Sequence, residues 1–130
     1  MAGVSAFILG DEVFYVQIAA KFGLVDPSIT GWVLHFIVGL VAGAVFIAAT
    51  AVLRRFALDT TKKAFWVGLA GGIAVWVIVY VPVTDLFAPT YLSDLMLAGG
   101  SLLFHLVYGV VTTVVSLSLI RRSIRTKTTP

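Results

Sequence analysis

Three long stretches of the chain are apolar on every side of a helix and contain no charged residue. They cover residues 27–53, 64–84 and 95–120, which are 27, 21 and 26 residues long. Because a helix rises 1.5 Å per residue, about 20 apolar residues cross a hydrocarbon core of about 30 Å. None of the stretches alternates polar and apolar positions as a membrane β-strand does. The pattern therefore predicts three transmembrane helices.

Local signals mark the ends of these helices. Asp26 precedes Pro27, which is the order of an N-cap followed by proline at the first helical position. Residues 59–61 and Asp94 predict caps for the second and third helices. Pro82 predicts a stop or a kink near the far end of the second helix.

Residues 85–100 mix apolar and polar side chains, which predicts a loop or short helix along the membrane interface. Aromatic residues cluster near this side of the predicted membrane, and tyrosine and tryptophan are typical of interfacial belts. The residues predicted to form such a belt are Trp32, Trp76, Tyr80 and Tyr91.

The N-terminal segment, residues 4–24, is largely apolar but is interrupted by Asp11, Glu12, Gln17 and Lys21. Two carboxylates at the centre of a bilayer would cost about 2.5–3.5 kcal/mol each. The sequence therefore favours an amphipathic helix that lies in the interface. A fourth spanning helix is the alternative.

Composition agrees with a membrane protein of one domain. The chain has 130 residues, of which 60% are hydrophobic and 12% are charged, and its mean hydropathy is +1.08. A soluble domain carries about 25% charged residues, and a small globule leaves too much surface exposed to hide this apolar excess. We predict an all-α integral membrane helical bundle. The absence of cysteine excludes a disulfide framework, a thiolate metal site and a cysteine nucleophile.

Basic residues fix the predicted orientation. Eight of the nine lysines and arginines lie beside the predicted helices, as Arg54, Arg55, Lys62 and Lys63 after the first and Arg121, Arg122, Arg125 and Lys127 after the third. Two crossings separate the clusters, so both fall on one side. The positive-inside rule predicts that the loop 54–63 and the tail 121–130 are cytoplasmic and that the protein is in the cell membrane. Orientation alone accounts for these charges, so no nucleic acid partner is expected.

Two histidines are the strongest candidates for chemistry. His35 and His105 each begin an H-x-x-x-G pattern that ends at Gly39 and Gly109, and both lie at similar depths in their helices. Two imidazoles on facing helices are able to hold a haem b iron axially. The lack of a third ligand favours instead a hydrogen bond to a neighbouring helix, and proton or solute handling is a further interpretation.

Small residues predict close helix packing. Glycines spaced by four let helix backbones approach, either within the chain or against other chains. The predicted packing residues are Gly39, Gly43, Gly68, Gly72 and Gly109. The last helix carries Thr112, Thr113, Ser116 and Ser118, whose hydroxyls are expected to bond to carbonyls of their own helix; lining a pore is the alternative. The pair Asp11 and Glu12 is expected to be an exposed polar face, with cation binding as the alternative.

The order Gly31-Trp32-x-x-His35-Phe36-x-x-Gly39, a basic loop, Gly68-x-x-x-Gly72 and His105-Leu106-Val107-Tyr108-Gly109 resembles small bacterial and archaeal membrane proteins of the YagU-like kind. The resemblance covers residues 26–120. It implies a polytopic bundle with His35 and His105 as marked positions, and it brings no activity.

No catalytic motif is present, so we expect a protein that is not an enzyme and carries no resident cofactor. The first hypothesis is a small non-catalytic membrane subunit that packs against other transmembrane chains, for example in a respiratory or membrane oxidoreductase complex. Its partners would be the lipid bilayer and either other subunits or further copies of itself. The alternatives are a haem b electron-transfer protein that uses His35 and His105, and an oligomeric channel or transporter.

Overall fold

The computed structural model describes residues 14–53 and 56–127, and these residues form helices joined by short connections, with no strand among them. The α-helices in chain order are α1 (Phe14–Lys21), α2 (Pro27–Val52), α3 (Thr61–Val75), α4 (Val81–Phe87), α5 (Thr90–Ser93) and α6 (Leu95–Lys127). A π-helical turn, Trp76–Tyr80, joins α3 to α4. The predicted all-α class is confirmed for this part of the chain.

Three helical stretches are long and apolar enough to cross a membrane. They are Pro27–Val52, Thr61–Phe87 and Leu95–Ile124, with mean hydropathies of 2.3, 2.1 and 2.0. The second stretch continues past the predicted boundary at residue 84 and ends at Phe87, and α6 begins at Leu95. More than half of the predicted interfacial segment 85–100 therefore belongs to the long helices, and the single helical turn α5 lies between them. At its other end, α6 continues past residue 120.

The predicted caps are present at the starts of all three stretches. The Asp26 side chain accepts a hydrogen bond of 3.4 Å from the amide three residues on, and the proline after it occupies the first helical turn. The Thr60 hydroxyl accepts one of 3.2 Å from the Lys63 amide. An Asp94 oxygen accepts the amide of Met96 at 2.8 Å. Each cap pairs an amide that the first helical turn leaves without a partner.

The second stretch does not stop at Pro82. Proline lacks an amide hydrogen, and its ring crowds the carbonyl four residues earlier in an α-helix. The π-helical turn Trp76–Tyr80 lies immediately before it, and the helix then resumes as Val81–Phe87. The wider π-helical hydrogen bonding accommodates the proline, so the predicted break is a local change in helix type. Such turns recur at functional sites.

The backbones of α3 and α6 touch each other, and this pair is the most extensive helix contact of the described residues. A Cβ at Gly68 would lie 2.7 Å from the Val110 Cα, and one at Gly109 would collide with the Gly68 carbonyl. Gly72 faces the backbone at residues 105 and 106 equally closely. The buried Thr113 hydroxyl donates a hydrogen bond of 2.8 Å to the Ala64 carbonyl across the same interface.

Helix α2 is covered far less by the rest of the chain. In its most apolar window 6% of the residues are buried, against 33% in the second stretch. It contacts the other long helices at a few points. The Tyr108 hydroxyl donates a hydrogen bond of 2.6 Å to the Gly39 carbonyl, and the Phe46 ring lies over Gly71. A space is left between α2 and α6 on either side of Tyr108.

Helix α1 packs where α2 begins and α4 ends. Its backbone at Tyr15 crosses α2 over Gly31, where a Cβ would lie 2.8 Å from the Tyr15 carbonyl. The Lys21 amine donates to the Phe87 carbonyl, whereas the Phe14 ring contacts the Tyr80 ring at 5.1 Å. Tyr80 precedes Phe87 by seven residues, or about 10 Å of helix. α1 therefore extends along the bundle axis, and the rest of the predicted N-terminal helix, with Asp11 and Glu12, lies outside the described residues.

The connection before α3 and the end of α6 meet at one end of the bundle. An Arg121 guanidinium nitrogen donates 3.1 Å to the Asp59 carbonyl. The Asp59 carboxylate pairs with Lys63 at 3.1 Å, and this hydrogen bond lowers its pKa below the usual value. We call this the basic end, and the opposite end, with Asp26 and Asp94, the acidic end. Arg54, Arg55 and the side chains of Arg125 and Lys127 lie outside the described residues.

Candidate functional site

A cavity of about 960 Å³ lies between α2 and α6, with further walls from α1, the π-helical turn and α4. On α6 its lining runs from Leu97 to Ser116, a stretch of 20 residues whose ends are about 29 Å apart along the helix. On α2 it runs from Trp32 to Ile47. Its volume is at the upper end of the range of about 300–1,000 Å³ for small-molecule pockets. The cavity is therefore long and follows the axis of the bundle.

His35 lines the half of the cavity nearer the acidic end. Its ring is partly buried and stacks on the Tyr15 ring at 4.6 Å with 26° between the planes. The Phe14 ring meets it edge-on at 6.4 Å. No group in the described part of the chain hydrogen bonds to this imidazole. Neither ring nitrogen of His35 therefore has a hydrogen-bond partner in the described part of the chain.

His105 lines the same half of the cavity from α6. Its Nδ1 lies 2.8 Å from the Ser101 carbonyl oxygen, one helical turn earlier. A carbonyl only accepts, so Nδ1 carries the hydrogen and donates it. In the neutral ring, Nε2 then holds a lone pair. Nε2 can accept a hydrogen bond from a hydroxyl or bind a metal ion, and metal-bound histidines show this same outer hydrogen bond.

The π-helical turn places one aromatic residue against this histidine and another against Ser101, whose carbonyl the histidine bonds. The Trp76 indole Nε1 donates a hydrogen bond of 3.2 Å to the Ser101 hydroxyl, and the Tyr80 ring lies 5.3 Å from the His105 ring. Trp76 and Tyr80 also stack on each other at 5.9 Å. Hydrogen bonds and ring contacts therefore hold the π-helical turn, Ser101 and His105 together beside the cavity.

Aromatic rings close this half of the cavity. Six of those that line it form what we call the aromatic cluster, namely Phe14, Tyr15, Trp32, Phe36, Tyr80 and Tyr91. Tyr80 and Tyr91 are 5% and 9% exposed, so both side chains point into the bundle. The interfacial belt stays a prediction. The helices are apolar on all sides, so the sequence did not mark which aromatic faces point inward.

One polar group of the cluster is buried without a partner in the described part of the chain. The Tyr15 hydroxyl has no hydrogen bond there, and its residue is 5% exposed. A buried polar group that loses its water partners costs about 1–3 kcal/mol. At this end of the cavity, the Tyr15 hydroxyl therefore joins the His35 ring and the His105 Nε2 as a polar group with no hydrogen-bond partner in the described part of the chain.

The two histidines line one cavity. Their rings make no direct contact, and the shortest chain of ring contacts between them passes through Phe14 and Tyr80. Axial ligands of one haem iron point directly at the metal from its two faces. The haem b interpretation of His35 and His105 stays a prediction. No group of three or more metal-ligating side chains occurs among the described residues.

The predicted packing glycines divide into two sets. Gly68, Gly72 and Gly109 lie in the α3–α6 contact, and Gly43 lies against the Tyr108 hydroxyl. Gly39 differs, because a Cβ there would meet nothing within 4 Å. Gly39 also lines the cavity.

The hydroxyls predicted on the last helix also separate. Thr113 is buried against α3, and Ser118 bonds at 2.9 Å to the Val114 carbonyl of its own helix. Thr112 and Ser116 line the half of the cavity nearer the basic end. Sequence reasoning missed Ser101, although its four-residue spacing from His105 placed both on one helix face.

Comparisons of the chain with protein-family models, with curated proteins and with solved structures find no match. The resemblance to YagU-like proteins over residues 26–120 therefore stays a prediction.

Proposed function

We propose that this chain is a non-catalytic integral membrane protein that holds an apolar small molecule between its first and third spans. The observation that carries the proposal is the cavity of about 960 Å³ that His35 and His105 both line. Its basic end would face the cytoplasm of the cell, as the positive-inside rule requires.

Exposed apolar surface supports insertion into a bilayer. On α2, Val41 is 58% exposed and Val45 is 64% exposed, and similar residues lie on all three long helices. Soluble monomers seldom expose contiguous apolar patches larger than a few hundred Å². Lipid removes the cost of this exposure, because its acyl chains are as apolar as the side chains.

The composition of the cavity wall supports the binding of a ligand. Ligand sites are concave and mostly apolar, with a few convergent polar groups that fix orientation. Here the polar groups include the His35 ring, the His105 Nε2 and the hydroxyls of Tyr108, Thr112 and Ser116, set among aliphatic and aromatic side chains. A cavity of this size inside a bilayer fills with some apolar molecule, and the polar groups select which one.

The test is to fill the cavity and measure what the protein retains. Ala42 lines the cavity, whereas Ala48 lies on the exposed part of the same helix and does not line it. After purification in mild detergent, extracted small molecules are quantified by mass spectrometry. We expect Ala42→Phe to lose a molecule that the wild type and Ala48→Phe retain in equal amounts. Equal retention by all three proteins would contradict the proposal.

A second candidate is the membrane subunit, and one specific observation favours it. Helix α2 has 6% of its most apolar window buried within the chain, against 17% for the third stretch. A Cβ at Gly39 would meet nothing within 4 Å, whereas the backbones at Gly68 and Gly109 touch each other. Gly39 therefore leaves room for a further helix to approach as closely. Packing of another transmembrane helix against α2 would cover this face, and the partner would be another subunit or a second copy.

Cysteine crosslinking in membranes tests this candidate, because the sequence contains no cysteine of its own. Ile37 on α2 and Val111 on α6 are 51% and 50% exposed and form a matched pair. If α2 is the assembly face, Ile37→Cys forms crosslinked species of fixed size and Val111→Cys does not. Equal crosslinking at both positions, or none at either, counts against the candidate.

A further inference from the structure

We propose that the molecule held in the cavity is a long-chain quinone or its quinol. The head would lie between the aromatic cluster and His105, and the tail would extend between α2 and α6 toward the basic end. This inference rests on the proposed function, because it names the ligand of the same cavity.

The length of the cavity favours a molecule with a chain. The lining on α6 extends over about 29 Å, from Leu97 to Ser116. The half nearer the basic end is walled by small and aliphatic residues such as Ala44 and Ile47, together with the hydroxyl-bearing Thr112 and Ser116. A compact planar cofactor would leave this half empty, whereas an isoprenoid tail fills it with apolar contacts.

The acidic half of the cavity favours a planar head. The aromatic cluster surrounds His35, and its members meet at ring distances between 4.6 and 6.4 Å in stacked and edge-on arrangements. Aromatic groups prefer these offset and T-shaped geometries to face-to-face pairing. A planar quinone ring would pack against these aromatic rings in the same stacked or edge-on geometries.

The polar groups match both redox forms of this head. The lone pair on the His105 Nε2 accepts a hydrogen bond from a quinol hydroxyl, because Nδ1 is engaged by Ser101. The neutral His35 ring offers one donor and one acceptor, and no described group uses either. It therefore binds a quinone carbonyl or a quinol hydroxyl equally well.

The absence of charged side chains disfavours a phosphate headgroup inside the cavity. Among the described residues that line the cavity, none is an aspartate, glutamate, lysine or arginine. A phosphate group would be buried there without a cation, which is strongly unfavourable. An uncharged head that both accepts and donates hydrogen bonds meets no such penalty.

Fluorescence quenching tests the inference. Trp32 lines the cavity and Trp76 lies beside His105, and a benzoquinone quenches tryptophan emission at contact. The full chain in mild detergent is titrated with a decyl-tailed benzoquinone, and the quinol is then measured by its competition with the quinone. We expect saturable quenching that Ala42→Phe abolishes and Ala48→Phe preserves.

Substitution of His105 tests the head group. His105→Leu removes the acceptor nitrogen, and we expect the quinol to bind about tenfold more weakly while the quinone changes less. His105→Gln keeps an acceptor oxygen, so it should restore part of the affinity. Val107→Ala, on the exposed face of the same helix, is the control and should bind like the wild type. Helical content measured by circular dichroism shows whether each variant is folded.

Competitors separate failure of this inference from failure of the proposed function. If tetradecanol displaces the quinone with equal affinity, the planar head is overturned and an apolar ligand site remains. If haem b binds with a sharp Soret band and blocks the quinone, the quinone assignment is overturned as well. If no probe binds and Ala42→Phe resembles the wild type in every assay, both the inference and the proposed function fail.

Discussion

The hydroxyl of Tyr108 on α6 donates a hydrogen bond of 2.6 Å to the carbonyl oxygen of Gly39 on α2. The same hydroxyl lies 2.6 Å from the position that a Cβ on Gly43 would take. His105 lies about one turn nearer the acidic end of α6, and Thr112 about one turn nearer the basic end. The tyrosine therefore fixes the separation of α2 and α6 midway along the cavity.

Loss of this hydroxyl should loosen α2. Tyr108→Phe removes one interhelical hydrogen bond, and we expect the free energy of unfolding to fall by about 0.5–1.5 kcal/mol. The measurement is reversible unfolding in mixed micelles by a denaturing detergent. Ser118→Ala is the control, because that exposed hydroxyl bonds only within its own helix. A Tyr108→Phe protein as stable as the Ser118→Ala protein would show that the contact contributes little.

The α3–α6 contact should tolerate no added side chain at its centre. A Cβ at Gly109 would collide with the Gly68 carbonyl, whereas one at Gly99 on the same helix would meet nothing within 4 Å. We expect Gly109→Ala to destabilise the protein by about 1–3 kcal/mol because the backbones must separate. Gly99→Ala should be neutral or stabilising by up to about 1 kcal/mol through helix propensity. The same unfolding titration compares them, and equal stability would contradict the close packing.

Thr113 provides a test of the hydrogen bond across that interface. Its buried hydroxyl donates to the Ala64 carbonyl at 2.8 Å. Thr113→Val keeps the shape and removes the donor, so we expect a loss of about 0.5–1.5 kcal/mol in the free energy of unfolding. Thr113→Ser keeps the donor and should lose less than the valine variant. The reverse order of the two variants would show that the methyl group, and not the hydroxyl, matters here.

The sequence predicts the long helices well because length, apolarity and caps are local properties. Asp26 and Asp94 cap as predicted, and the three uncharged stretches became the three long helices. Burial within the bundle is a different kind of property. Each helix is apolar all round, so no polar face marks the side that points inward.

The candidate site was therefore only half visible in the sequence. The matching patterns at His35 and His105 singled out the two histidines, and the structure places both on one cavity. The neighbours that define their chemistry come from elsewhere in the chain. Tyr15 reaches His35 from α1, and the π-helical turn before Pro82 sets Tyr80 against His105. These depend on how helices pair, which local spacing does not encode.

Membrane topology is the most direct test of the whole account. Single cysteines are placed at Thr61 and Ser123 near the basic end and at Val25 and Ser93 near the acidic end, in a chain that has no other cysteine. Intact cells are then treated with a membrane-impermeant maleimide before and after permeabilisation. The account predicts that Val25→Cys and Ser93→Cys react in intact cells, and that Thr61→Cys and Ser123→Cys react only after permeabilisation. Labelling of Thr61→Cys and Ser123→Cys from opposite sides, or recovery of the folded protein from the soluble fraction, would contradict it.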